Sequence, residues 1–364
     1  MSDLLIELLN ATLVMRPLNE NVFREAAEAD WQACYDMAWV QNVLAMTFPA
    51  MTSLPKDLRP SFLQWSQWMA YAQNTAEQTL FKRQVVEKIA PWLAEDGLST
   101  LILKGFSLSS LYPHPDLREF SDIDVFSGVN YEAVNECLAK HGVLVDRVDG
   151  HHAYLKVDGI SVEHHFAFHN TKVKRGLESP EEALKQLAVK DWQPTSIKSI
   201  YFPCPAFTAL FVGWHAYEHF LQEKIQLRHV IDWALALKQL SESDEKILEE
   251  AKGDSRWGLF TDTMTAIALH QLNLPQDWFP HTELETTKTV SLVQEQKVWN
   301  DIINTVQTPK SNNSNLRRFY IAKRMLKNNW KYKTYSNMNA CQLVLNETIA
   351  HFRTKRQIIL KTLD

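Results

Sequence analysis

The sequence predicts an α+β protein in which a small mixed sheet, over residues 99–200, lies between helical regions at 1–98 and 201–364. Three observations lead there. Apolar residues recur at helical spacing through the first hundred positions, short apolar runs bounded by glycine and proline replace them after Ser99, and helical spacing returns after about residue 200. A length of 364 residues asks for two or three packed units. Ten glycines against twelve tryptophans favour helix over loop.

In the first region, Trp31, Cys34, Tyr35, Ala38 and Trp39 mark one helix face. After the break from Leu54-Pro55 to Arg59-Pro60, Phe62, Trp65, Met69, Ala72, Ala76 and Leu80 begin a second helical stretch. It continues through Val85, Ile89 and Trp92, with Gly97 as a stop signal. Thr100–Leu103 is a short apolar run ending in Lys104-Gly105, a strand into a tight turn, and Ser107–Tyr112 fits a short helix. Ile123–Phe126 reads as a strand, Tyr131–His141 as an amphipathic helix closed by Gly142, and Val143–Val148 as another strand. Ala153–Val157 and Ile160–Phe166 flank Asp158-Gly159, a hairpin signal because both turn positions require positive φ. Residues 170–200 read as a polar connector. Helices resume at Phe207–Leu221 and Ile225–Leu240, and 309–315 reads as an exposed loop.

The bulk chemistry excludes several classes. A formal net charge of −5 gives no global attraction to nucleic acid or membrane. The four cysteines form no CxxC pair, so neither a disulfide framework nor a thiolate zinc site is expected. The N-terminus lacks a secretory pattern, and no run is long and apolar enough to span a bilayer. A cytoplasmic protein is expected.

Chemistry concentrates at Ser121-Asp122-Ile123-Asp124-Val125-Phe126. A strand sends alternate side chains to one face, so Asp122 and Asp124 project together and Ile123 opposes them. Paired carboxylates suit Mg²⁺, a hard ion that prefers oxygen. Glu163, on the later hairpin strand with Ser161 and His165 on its face, is the candidate third carboxylate. An Asp-x-Asp triplet alone is more often a solvated strand edge. Here it follows a strand and the turn Lys104-Gly105-Phe106-Ser107, whose backbone N–H groups at a helix start suit phosphate.

These residues resemble the polymerase-β-type nucleotidyltransferase superfamily, and within it the bacterial group described as uncharacterised nucleotidyltransferases. The resemblance rests on Leu103-Lys104-Gly105, Leu111-Tyr112-Pro113, Arg118, Ser121–Asp124, Val162-Glu163-His164-His165, His215 with His219, and Arg228 with Asp232. Glycine and serine are not adjacent, since Phe106 intervenes, and the spacer from Gly105 to Asp122 is longer than in the simplest members. The resemblance implies that residues 99–200 form a nucleotidyltransferase core. It also implies that Asp122, Asp124 and Glu163 hold Mg²⁺ (or Mn²⁺) and that an NMP moves from an NTP to a hydroxyl acceptor, releasing pyrophosphate. Lys104, Gly105, Ser107, Arg118, His165 and Arg228 are the expected nucleotide-side residues. The acceptor is left open among a small molecule, a protein side chain and RNA. The main alternative is a member that binds nucleotide without turnover.

Other features carry rival readings. His215-Ala216-Tyr217-Glu218-His219 matches H-x-x-E-H, which places two histidines on one helix face as in a zinc peptidase; the bland reading is packing. His164, His165 and His169 cluster, with His165 expected in the cleft and His164 facing away; His151 and His152 receive no role. Arg228 and Asp232, four apart, read first as a local helical ion pair and second as an arginine reaching substrate. Residues 310–335 carry eight lysines and arginines, no acids, and interleaved aromatics such as Tyr332 and Tyr335. That suits RNA, with cations on phosphates and rings on bases. The bland reading is an amphipathic helix with Ile321, Met325 and Leu326 on the core.

Overall fold

The structure is a computed structural model. It describes residues 2–148, 150–168, 180–222, 224–253, 255–280 and 290–304, with 323, 326–336, 339 and 341–342. Its centre is a seven-stranded mixed sheet. The strands are β1 Thr100–Ile102, β2 Ile123–Phe126, β3 Val145–Val148, β4 His152–Val157, β5 Ile160–His165, β6 Gln193–Pro194 and β7 Ile200–Phe202. Their order is β3-β4-β5-β2-β1-β7-β6.

The hairpin forms as read: β4 and β5 pair antiparallel, and the turn takes φ 50° at Asp158 and 84° at Gly159. β5 then lies parallel to β2 with Asp124 opposite Glu163. The connector expected at 170–200 contains more structure than its polarity suggested. A helix spans Glu181–Leu187, and β7 runs parallel to β1 with Thr100 opposite Ile200. Strands of two or three residues leave almost no periodic signal.

Side-chain alternation gives the sheet two faces. On the back, Ile123, Val125, Val162, Ala153 and Leu155 pack on Val85, Val86, Ile89 and Leu93 of the long helix α4 (Phe62–Glu95) and on Val134, Cys137 and Leu138 of the helix Tyr131–Lys140. On the front, Leu101, Leu103, Phe126 and Phe168 join a larger core with Phe207 and Phe211 of the helix Pro205–Gln222, here α8. The N-terminal helices share this core. Asn10 donates to the Leu272 carbonyl at 2.9 Å, and Gln41 donates to the Ile302 carbonyl at 2.8 Å. α9, Leu227–Leu237, follows α8 and is buried along nearly its whole length. The front of the sheet therefore faces α8 and α9, and the cleft lies between them.

Most of the basic segment, including Arg317, Arg318, Phe319, Tyr320, Ile321, Arg324 and Met325, lies outside the described residues, as does His169 and the loop at 309–315. Within the helix Asn329–Tyr335, Tyr332 and Tyr335 are buried in the helical core, and Lys331 is buried against Asp301. These three side chains are spent on packing rather than offered to nucleic acid. Leu326, expected to face the core, is exposed.

Candidate active site

The sheet wall of the cleft follows from the register. Because Asp124 and Glu163 are direct partners on parallel strands, their carboxylates stand side by side on the front face. Asp122 lies one step before β2 on the same face and is partly exposed; Asp124 is 1% exposed. Lys104, at the carboxyl end of β1, places Nζ 3.0 Å from Asp124 Oδ1. His165 Nε2 is also 3.0 Å from that oxygen and 4.0 Å from Glu163 Oε2. Asp124 Oδ2 is buried and has no hydrogen-bond partner.

The electrostatics separate the two carboxylates. Burial pushes Asp124 up, but the Lys104 ammonium and the His165 contact outweigh it and hold this carboxyl well below the usual range. Glu163 goes the other way, pushed up to about 7 by burial and then by the charges of Asp124 and Asp122. Burial would lower Lys104, but Asp124, Asp122 and Glu163 hold it above its ordinary value. His164 faces away, as its parity requires. It meets Asn135 at 2.8 Å and Ser127 at 3.1 Å behind the sheet, and burial brings its pKa down to about 3.

Gly105 turns the chain from β1 into the short helix Phe106–Ser109 with φ 66° and ψ −105°. A Cβ there would sit 3.1 Å from the Phe120 ring in a backbone conformation that L residues avoid, so the position demands glycine. Ser107 is buried just inside this turn, and its Oγ has no partner.

The helical wall departs from its expected roles. Arg118 Nε and Nη2 each donate to Asp232 at 2.7 Å, a bidentate pair, and Tyr112 donates to the same carboxylate at 2.7 Å. The expected local Arg228–Asp232 bridge is replaced by this pairing across 114 residues, because the planar guanidinium of Arg118 matches the carboxylate edge to edge. Through this pair Arg118 ties the segment before β2 to α9. Arg228 donates to the Glu119 carbonyl at 2.8 Å and keeps a buried Nε without a partner; burial, then the Arg118 charge, lowers its pKa.

His215 and His219 meet a third histidine that motif reading missed, His229 on α9. The three could be taken for a metal site, since their ring nitrogens converge within 4.8 Å. The tautomer of His229 argues otherwise. Its Nδ1 accepts the Gln226 amide at 3.1 Å, so the neutral ring carries its proton on Nε2 and offers no lone pair on that side. Burial lowers His215 and His229 well below the ordinary histidine range, which keeps both rings neutral. Lys82, buried on α4 and 4.8 Å from the centre of the Phe120 ring, is a second residue that sequence patterning did not mark.

These walls enclose a cavity of about 200 Å³ that brings Lys104, Gly105, Asp122, Asp124, His215 and Arg228 together. Arg118, His219, His229 and Asp232 complete its far side. Glu163, His165 and Ser107 stand outside that lining, the first two against Asp124. Three carboxylates, three cations and three histidines around one small space suit a charged ligand better than an apolar one.

Comparison with known proteins agrees in part. No curated protein sequence matches the chain. Among solved structures, a solution structure of the antibiotic-resistance factor ANT(2'')-Ia is 13% identical, with a TM-score of 0.35, over 53% of this chain and 98% of that one. A crystal structure of ANT(2'')-Ia in complex with adenylyl-2''-tobramycin is 11% identical, with a TM-score of 0.33, over 49% and 98%. Similarity at that level transfers neither substrate nor chemistry. A family model, by contrast, matches residues 27–273, more than half of the chain and all of the cleft just described, and by that match the chain belongs to the family described as uncharacterised nucleotidyltransferase.

Proposed function

We propose that this nucleotidyltransferase moves a nucleoside monophosphate from an NTP onto a hydroxyl acceptor, releasing pyrophosphate, with a divalent cation held by Asp122, Asp124 and Glu163. The observation that carries the reading is the parallel register that sets Asp124 against Glu163 and leaves Asp124 Oδ2 buried without a partner. A buried, ionised carboxylate oxygen with no partner is costly unless a cation completes it. The donor set fits that role, since carboxylate oxygens suit Mg²⁺ and Mn²⁺. When bound, such an ion polarises the phosphoryl oxygens and offsets the charge that develops on them.

The chain's own residues supply the rest. Gly105 lets the backbone approach the phosphates without a side chain in the way. Ser107 Oγ, buried and unpartnered just inside the same turn, is a further proposed donor to phosphate. Lys104 neutralises the carboxylate pair, and can turn toward a triphosphate oxygen once a cation held by Asp124 supplies that positive charge. Arg228 is destabilised as a cation by burial and by Arg118, and a phosphate anion beside it relieves both. Arg118 acts through position: its pairing with Asp232 fixes the segment leading into Asp122. Glu163, pushed up to about 7, can take the acceptor's proton near neutral pH.

The test is incubation with each α-labelled NTP, Mg²⁺ or Mn²⁺, and acceptor pools of small molecules, proteins and RNA. Pyrophosphate release with label transfer, lost in Asp124→Asn, is the expected result. Nucleotide binding with no pyrophosphate from any pool would favour the non-catalytic reading instead.

A further inference from the structure

The ring of His165 is held in the orientation that a metal ligand needs. Its Nδ1 lies 3.3 Å from the Ala167 carbonyl oxygen and its Nε2 3.0 Å from a carboxylate oxygen of Asp124, and both oxygens can only accept, so Nδ1 keeps its hydrogen bond to the main chain when a cation takes the place of the proton on Nε2. Nε2 faces Asp124 Oδ1, 3.0 Å away, and Glu163 Oε2, 4.0 Å away. One ligand atom from each of Asp124, Glu163 and His165 falls within 4.8 Å of the others. A divalent cation ligated by Nε2 and by the carboxylates takes the place of the proton on Nε2. The ring is buried, and its hydrogen bond to a backbone carbonyl fixes its orientation.

We propose that His165 Nε2 is itself a ligand of the cation at Asp124 and Glu163, which makes the site a mixed nitrogen–oxygen one that selects a Mn²⁺-class transition ion over Mg²⁺. Mg²⁺ is small, favours oxygen and gives up water reluctantly, whereas imidazole suits first-row transition ions. Lys104 and His165 both approach Oδ1 of Asp124, and the unpartnered Oδ2 is the oxygen left for the metal. The inference rests on the reading of Asp124 and Glu163 as cation ligands, and it adds a nitrogen donor and a metal preference to that reading.

The experiment is a MnCl₂ titration of the full chain followed by EPR, with electron spin-echo modulation to detect nitrogen coupled to the bound ion. The unmutated chain should show ¹⁴N coupling that becomes ¹⁵N coupling after labelling with ¹⁵N-histidine. In His165→Gln the coupling should vanish and Mn²⁺ affinity should fall on the order of 10- to 100-fold, with Mg²⁺ affinity, read by competition, almost unchanged. In His152→Gln, the nearest imidazole on β4, the coupling should remain. Circular dichroism checks folding of each variant; should His165→Gln not fold, the ¹⁵N label on the unmutated chain together with His152→Gln decides the question. Mn²⁺ binding that Asp124→Asn abolishes, but without nitrogen coupling or with coupling that survives His165→Gln, overturns this inference and leaves the carboxylate reading standing. Absence of Mn²⁺ binding, or equal binding by Asp124→Asn, overturns both.

Discussion

The two walls of the cleft both carry histidines beside buried charge, yet they are chemically opposite. On the sheet wall, His165 has its Nδ1 against a backbone carbonyl and its Nε2 toward carboxylates. On the helical wall, His229 has its Nδ1 against a backbone amide. The main chain thus takes Nδ1 as a donor in one ring and as an acceptor in the other, so only in the first can Nε2 give up a proton and leave a neutral ring. A motif such as H-x-x-E-H specifies spacing on a helix but nothing about these partners, which is why the zinc-peptidase reading loses force once the tertiary contacts are known. The comparison also separates two uses of acid. Asp232 is fully spent on Arg118 and Tyr112, whereas Asp124 keeps an oxygen in reserve.

The sharpest break of this contrast is Asp124→Asn, which removes the carboxylate proposed to hold the cation while preserving size. Turnover should fall on the order of 10³-fold, as several kcal/mol of charge stabilisation implies, in a chain that still folds. Equal turnover would move the chemistry elsewhere. On the helical wall the same type of change should act on folding. Arg118→Ala leaves Asp232 buried without its cation, and denaturant unfolding should show a loss of about 3–5 kcal/mol. A loss of activity at undiminished stability would instead return Arg118 to the phosphates.

A smaller effect follows from pH. Glu163 has a folded pKa raised to about 7, so below that pH a proton competes with the cation for its carboxylate. Metal affinity should therefore weaken as pH falls from 8 to 6, by up to about tenfold per unit below the pKa, and Glu163→Gln should flatten the profile. A profile equally steep in that variant would assign the titration to another group. The smallest effect is expected from His219→Gln, which should change divalent-metal affinity by less than about twofold because its histidine cluster lacks a ligating lone pair at His229. One tightly held zinc per chelator-washed chain, lost in that variant, would reverse the assignment of the two walls.

Much of the sheet wall was readable from the chain alone. Strand alternation puts Asp122 and Asp124 together and Ile123 behind them, and in the structure Ile123 is fully buried on the back face. The Asp158-Gly159 turn fixes the hairpin and with it the parity that turns Glu163 and His165 forward and His164 back. Period-two and turn signals are local, so they survive in sequence. The helical wall was not readable in the same way. The i,i+4 spacing of Arg228 and Asp232 suggested a pair that forms instead between Arg118 and Asp232, because the choice of partner rests on which guanidinium reaches the carboxylate in the packed molecule.

The amino-acid order by itself thus determined most of the element types, the faces of the strands and which carboxylates share a face. Tertiary structure alone decided that β5 lies parallel beside β2, that β7 extends the sheet beside β1, and that α8 and α9 close over the carboxylates. Local backbone geometry follows from neighbours a few residues apart. Strand adjacency, ion-pair choice and histidine tautomers depend on groups separated by tens to hundreds of residues, which only the packed core brings within hydrogen-bond reach.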